Sequence, residues 1–141
     1  MTTMRVVRAA GIGFGLMLAT CSISGIDSEG RELSISSDAP ASAEAVFQKA
    51  EAWIGRGTYQ VLERRSPDLV RARRALSGQD FKGRLDIEIT AVTATTSKYE
   101  IRVWTEFLGV KARANDAEMA ADAESLRAAL SCPAAKWPTC P

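Results

Sequence analysis

Two helical patterns bracketing four alternating stretches predict an α+β domain of two layers, ordered α-β-β-β-β-α, with a four-stranded antiparallel meander sheet and both helices on one face. Apolar residues recur at three- and four-residue spacing over 42–55 and again over 116–131, the period of a helix with one buried stripe. Between them apolar and polar side chains alternate, which gives each strand one dry and one wet face and favours antiparallel pairing. A chain of 141 residues, 46% hydrophobic and 25% charged, is long enough for one sizeable core and too short for two.

Ser42 opens the first helix as an N-cap, with Glu44 in the first turn where the helix dipole favours an anion. Ala43, Val46, Phe47, Ala50, Trp53 and Ile54 form its apolar face, and Gly55-Arg-Gly57 stops it. Thr58–Arg65 reads as a strand with Tyr59 and Val61 alternating against Gln60. Ser66-Pro67-Asp68 is a turn with proline at its second position. Leu69–Leu76 is a second strand, broken by Ser77-Gly78. Gly83–Ala94 is a third, with Leu85, Ile87 and Ile89 facing one way and Asp86, Glu88 and Thr90 the other. Thr95–Lys98 turns the chain back. In the fourth strand Tyr99, Ile101, Val103 and Phe107 alternate with Glu100, Arg102, Trp104 and Glu106. Asn115 or Asp116 caps the last helix, whose stripe is Met119, Ala123, Leu126 and Leu130, with Arg127 suited to its last turn.

Ahead of the domain, Arg5 and Arg8 precede an uncharged run from Ala9 to Thr20, the layout of a secretory leader. Twelve residues of helix span about 18 Å, short of the roughly 30 Å hydrocarbon core of a bilayer. Leu18-Ala19-Thr20-Cys21 resembles the lipobox of bacterial lipoproteins, with Thr20 where that family has Gly, Ala or Ser. The resemblance covers about 20 residues; it implies a signal peptide at 1–20 and a mature chain that begins with lipidated Cys21. Residues 21–40, rich in Ser, Gly and acid, read as a flexible tether, and 41–141 as the single domain. Cys132 and Cys140 then remain as an even pair, expected to close as a disulfide in an oxidising envelope and to contribute roughly 2–3 kcal/mol.

Charge is balanced, with 18 Lys+Arg against 17 Asp+Glu; without residues 1–20 the count is 16 against 17, so nothing marks a nucleic-acid binder. There is no histidine, hence no metal ligand or general base of that type. The densest charge cluster, Arg56, Arg64, Arg65, Arg71, Arg73 and Arg74, contains only Glu63 and Asp68 as acids. A hairpin about residues 66–68 gathers it at one sheet edge, as an anion or partner patch or as a charged edge that deters strand pairing. Alternation splits it, with Arg71 and Arg73 on one face and Arg74 on the other. Trp104 on the wet face is either an exposed binding anchor or an aromatic lying under arginine stems. Asp86 and Glu88 share a strand face about 7 Å apart, yet no nucleophile, base or oxyanion donor accompanies them. The expected function is therefore that of a membrane-tethered, non-catalytic envelope module, anchored by lipid, with an envelope protein partner and no cofactor or metal. The rivals are a small secreted enzyme or ligand carrier with a deep pocket lined by Asp86, Glu88, Arg102 and Trp104, and an accessory subunit of a membrane complex.

Overall fold

The computed structural model describes residues 23–26, 31–77, 80–112 and 116–132. Both helices form where their caps and stripes place them. α1 (Ala43–Ile54) starts at Ser42, whose hydroxyl accepts from the Ala45 amide at 3.2 Å, and it buries the six residues of its predicted stripe. α2 (Ala117–Leu130) starts at Asp116, whose carboxylate accepts from the Met119 amide at 3.1 Å. It buries Met119, Ala123, Leu126 and Leu130, and adds Ala129.

The sheet is larger than the predicted meander. Its strands are β1 (Ile23–Ile26), β2 (Leu33–Ala39), β3 (Gln60–Arg65), β4 (Leu69–Ala75), β5 (Phe81–Ala91), β6 (Ser97–Phe107) and β7 (Val110–Lys111). All pairs are antiparallel, in the order β1-β2-β6-β5-β4-β3, with β7 also on β6. The four predicted strands are thus its β3, β4, β5 and β6, paired as a meander.

The reading of 21–40 as a flexible tether is corrected over 23–26 and 33–39. β2 pairs along β6 from Leu33 opposite Val103 to Ala39 opposite Ser97, and it buries Ile35 and Ala39. The cause is the edge problem. A meander ending at β6 would leave that long strand's backbone N–H and C=O groups unpaired, and β2 pairs them. β5 also ends earlier than predicted, at Ala91, because Val92 and Thr93 donate backbone bonds to the Thr96 carbonyl at 3.1 and 3.0 Å.

α1 connects β2 to β3, four strand positions away. At about 4.8 Å per strand that is about 19 Å, close to the 18 Å of a twelve-residue helix. The helix therefore crosses the dry face, and α2 packs beside it, with Trp53 Nε1 donating to Ser125 Oγ at 3.3 Å. The core between layers holds Val46, Phe47, Ile54, Leu85, Ile87, Ile101, Val103, Met119, Leu126 and Leu130. Tyr99 reaches through it to share a hydrogen bond with Ser131 Oγ at 2.5 Å. Among the described residues no helix is long and apolar enough to cross a membrane.

Cys132 is buried and disulfide-bonded. Its expected pairing with Cys140, the lipid on Cys21 and the leader 1–20 lie outside the described residues.

Candidate functional site

The β3–β4 hairpin does gather the arginines, and the sheet then gives most of them carboxylate partners. Arg64 turns to the helix side and pairs with Glu51 of α1. On the opposite face Arg65 lies 3.7 Å from Glu63, while Arg71 reaches Glu63 at 3.2 Å and Asp86 at 3.5 Å. Arg74, half-turned under α2, bonds Asp122 Oδ2 at 2.8 Å and Glu118 Oε2 at 3.0 Å, and its Nε donates to the Ala75 carbonyl at 3.1 Å. Arg73 has no carboxylate partner among the described residues; its Nε donates to Gln60 Oε1 at 3.3 Å. The cluster is split between the faces, as alternation requires, and mostly neutralised.

Arg74 belongs to a linked group that residue spacing did not reveal. Tyr59 donates its phenol proton to Asp122 Oδ2 at 2.5 Å, and Glu118 Oε1 accepts from the Ser77 amide and hydroxyl at 3.1 and 2.8 Å. Burial, then the bond and charge of Asp122, push the Tyr59 phenol far above its ordinary value. Burial works against the Arg74 cation, but Asp122 and Glu118 hold its pKa above the usual guanidinium range. The Ser77 bonds draw Glu118 below the usual carboxylate range. The one sequence cue was that Glu118 and Asp122 sit four apart on α2, beside Met119 of the apolar stripe.

The outer sheet face is a lattice of opposite charges. Arg71, Asp86 and Arg102 stand in one cross-strand row, and Arg102 also pairs with Glu88 and lies 3.8 Å from Glu100. Asp86 is buried beneath these side chains at 5% exposure, and its Oδ1 bonds to no protein group. Burial lifts its carboxyl above the ordinary aspartate value, with Arg71, Arg84 and Arg102 opposing the rise. Trp104 is on this face but is not an exposed anchor: it is 7% exposed, with Lys111 Nζ 4.5 Å and Arg84 Cζ 5.3 Å from its ring centroid. Its Nε1 donates to Glu106 at 3.2 Å. The long stems of the cations cover it. No described cleft is lined by Asp86, Glu88, Arg102 and Trp104 together. Glu88 instead lines a shallow groove of about 360 Å³ with Ser36, Thr90, Lys98 and Glu100.

A second cleft, of about 390 Å³, opens where β3 parts from β4. It brings Arg73 and Arg74 together with Lys82, Tyr59, Thr58 and Gln60, and no acidic residue lines it. Of the six arginines, then, Arg73 and Arg74 meet in this cleft, Arg64, Arg65 and Arg71 are paired away from it and Arg56 lines a separate one beside Asp122, while Trp104 is covered. Lys82 went unnoticed because the predicted third strand began one residue after it. Among the described residues no group of three His, Cys, Asp or Glu side chains is placed to hold a metal.

No protein-family model and no curated protein matches the chain. Its structure is similar to that of a protein from Arthrobacter aurescens determined by solution NMR, at 15% identity and a TM-score of 0.51. The match covers 79% of this chain and 92% of that one. The crystal structure of CalU16 from Micromonospora echinospora matches at 10% identity and a TM-score of 0.41, over 79% of this chain and 94% of that one. The first likeness shows a shared α+β fold.

Proposed function

We propose that the chain is a lipid-anchored, non-catalytic binding module of a bacterial cell envelope, attached through Cys21 and facing the periplasm or exterior. The observation that carries this reading is a coincidence of boundaries. The lipobox-like segment Leu18-Ala19-Thr20-Cys21 ends two residues before Ile23, where the first strand of the sheet begins. A leader removed at that point leaves the folded unit whole. The disulfide at Cys132 supports the same compartment, since such bonds persist where the surroundings oxidise. The binding role draws on the acid-free cleft at the β3–β4 edge.

Intact-mass analysis of the full chain expressed in a bacterial envelope tests the anchor. The expected species lacks residues 1–20 and carries acyl chains on Cys21, and Cys21→Ala yields an unlipidated precursor. Soluble protein that keeps Met1 and an unmodified Cys21 overturns the reading.

A further inference from the structure

We infer that the cleft at the parting of β3 and β4 binds a phosphate-type anion. β3 stays paired with β4, across a register shift between Val61 and Glu63, only back to Gln60 opposite Arg73. Residues 57–59 then leave the ladder, and the gap they open is faced by Arg73, Ala75 and Lys82 from the adjoining strands. Lys82 pairs with Ala75 in register, so it stands one row from Arg73 on the same face.

Four features suit this gap to an oxyanion. No carboxylate lines it. Glu106 stands opposite Lys82 in register, but its Oε2 is taken up by Arg84 at 3.1 Å and Trp104 at 3.2 Å, and Asp122 and Glu118 are bonded to Arg74 at 2.8 and 3.0 Å, so Arg73 and Lys82 have no carboxylate partner among the described residues. Gln60 holds Arg73 by Nε alone, so both Nη groups remain for a bidentate contact with oxygen. The amide N–H groups of Gly57 and Thr58 donate to no protein group among the described residues. Two cations of different geometry beside spare backbone donors match a tetrahedral group with two or more negative charges better than one planar carboxylate. The shared chemistry is a phosphate, supplied by a soluble phosphate compound or by a phospholipid headgroup.

Inorganic pyrophosphate titrated into the full chain in neutral detergent is the direct probe. The expected result is saturable shifts of the Thr58, Tyr59, Gln60 and Ala75 amide resonances, with affinity weakened at least about tenfold in Arg73→Gln/Lys82→Gln. Both side chains are exposed and outside the core, so the variant keeps its fold. Arg65→Gln, paired with Glu63 near the other end of the hairpin, is the control and changes affinity by less than about twofold. Flotation with phosphatidylglycerol vesicles, against phosphatidylcholine, separates the sources. Because acyl chains on Cys21 float the protein with either vesicle, the readout is the excess with phosphatidylglycerol: pyrophosphate binding without that excess assigns a soluble ligand, and an excess lost in the double variant assigns a headgroup. Absence of both responses, or equal responses in wild type and double variant, overturns the inference. It does so whatever the state of Cys21, because the cleft does not depend on the anchor.

Discussion

At Gly83 the two layers approach closely enough to forbid a side chain. A Cβ there would stand 2.2 Å from Met119 Sδ and 3.2 Å from Arg74 Cγ, both held by their own packing. Gly83→Ala is therefore expected to destabilise the fold by about 1–3 kcal/mol in urea unfolding, as overpacking does. Met119→Ala in the same chain should return part of that loss, which distinguishes the clash from a backbone effect. Leu108 shows the opposite case. It is 74% exposed at φ 52°, followed by Gly109 at φ 84°, in the tight turn between β6 and β7. A leucine in the left-handed region costs about 1–2 kcal/mol, and the Asn-Gly pair is the favoured occupant of such turns. Leu108→Asn should thus raise stability by about 1 kcal/mol by the same measurement. Asp86 links stability to pH. Its folded-state pKa lies above the ordinary value, so its charged form is disfavoured by folding, and the penalty is full above that raised value. It disappears as pH falls through the raised folded value toward 3.8. Asp86→Asn should accordingly be more stable than wild type at neutral pH, and the difference should shrink on acidification through that window. A difference that grows on acidification would show that the three arginines, rather than burial, govern this carboxylate.

Among the elements, β2 is the one that alters the architecture. Ile35 is 3% exposed in the core and Ile26, in β1, is 57% exposed. Ile35→Ala is expected to cost about 2–4 kcal/mol, while Ile26→Ala should leave the unfolding midpoint unchanged; a disordered segment at 33–39 would make both silent. The first helix was legible because six apolar residues at helical spacing, an N-cap and a glycine stop all agree over 42–55, and the second because an N-cap residue precedes the stripe Met119, Ala123, Leu126 and Leu130. β5 and β6 were legible for the matching reason, since their alternation pairs bulky apolar residues with charges. In Leu33-Ser-Ile-Ser-Ser-Asp-Ala39 the same alternation exists, but Ser37 and Ala39 occupy inward positions and are small, so the period is faint. β7 is two residues long and rests on β6 for its existence, which no local pattern records. The site was legible in part. Arg73 and Arg74 were visible as charge, but their separation into a neutralised cation and an open one depends on Asp122, 48 residues from Arg74 in sequence and brought near by α2. Tertiary placement of a carboxylate decides which arginine stays available, and spacing along one strand carries no trace of it.

At the scale of the whole molecule, the early start of the sheet changes how an anchor at Cys21 would hold it. Two residues span at most about 7 Å, so a lipid there would keep the fold against the bilayer instead of letting it range on a long tether. β1 enters level with Ser36, Glu100 and Glu88. Lys82, at the cleft, is six residues along β5 from Glu88, about 20 Å at strand rise. The β5–β6 turn at 92–96 lies toward the end where β1 enters, and the apolar β6–β7 turn lies at the other, with Phe107, Leu108 and Val110 exposed. The molecule proposed here therefore turns its 92–96 end to the membrane and carries the cleft outward, where a soluble phosphate compound reaches it more readily than a headgroup of the same bilayer. A fluorophore attached through Thr95→Cys should be quenched strongly by a quencher held in the bilayer, and one attached through Leu108→Cys weakly. Stronger quenching at Leu108 would reverse the orientation, set the exposed apolar turn in the lipid, and bring Arg73 and Lys82 down among the headgroups.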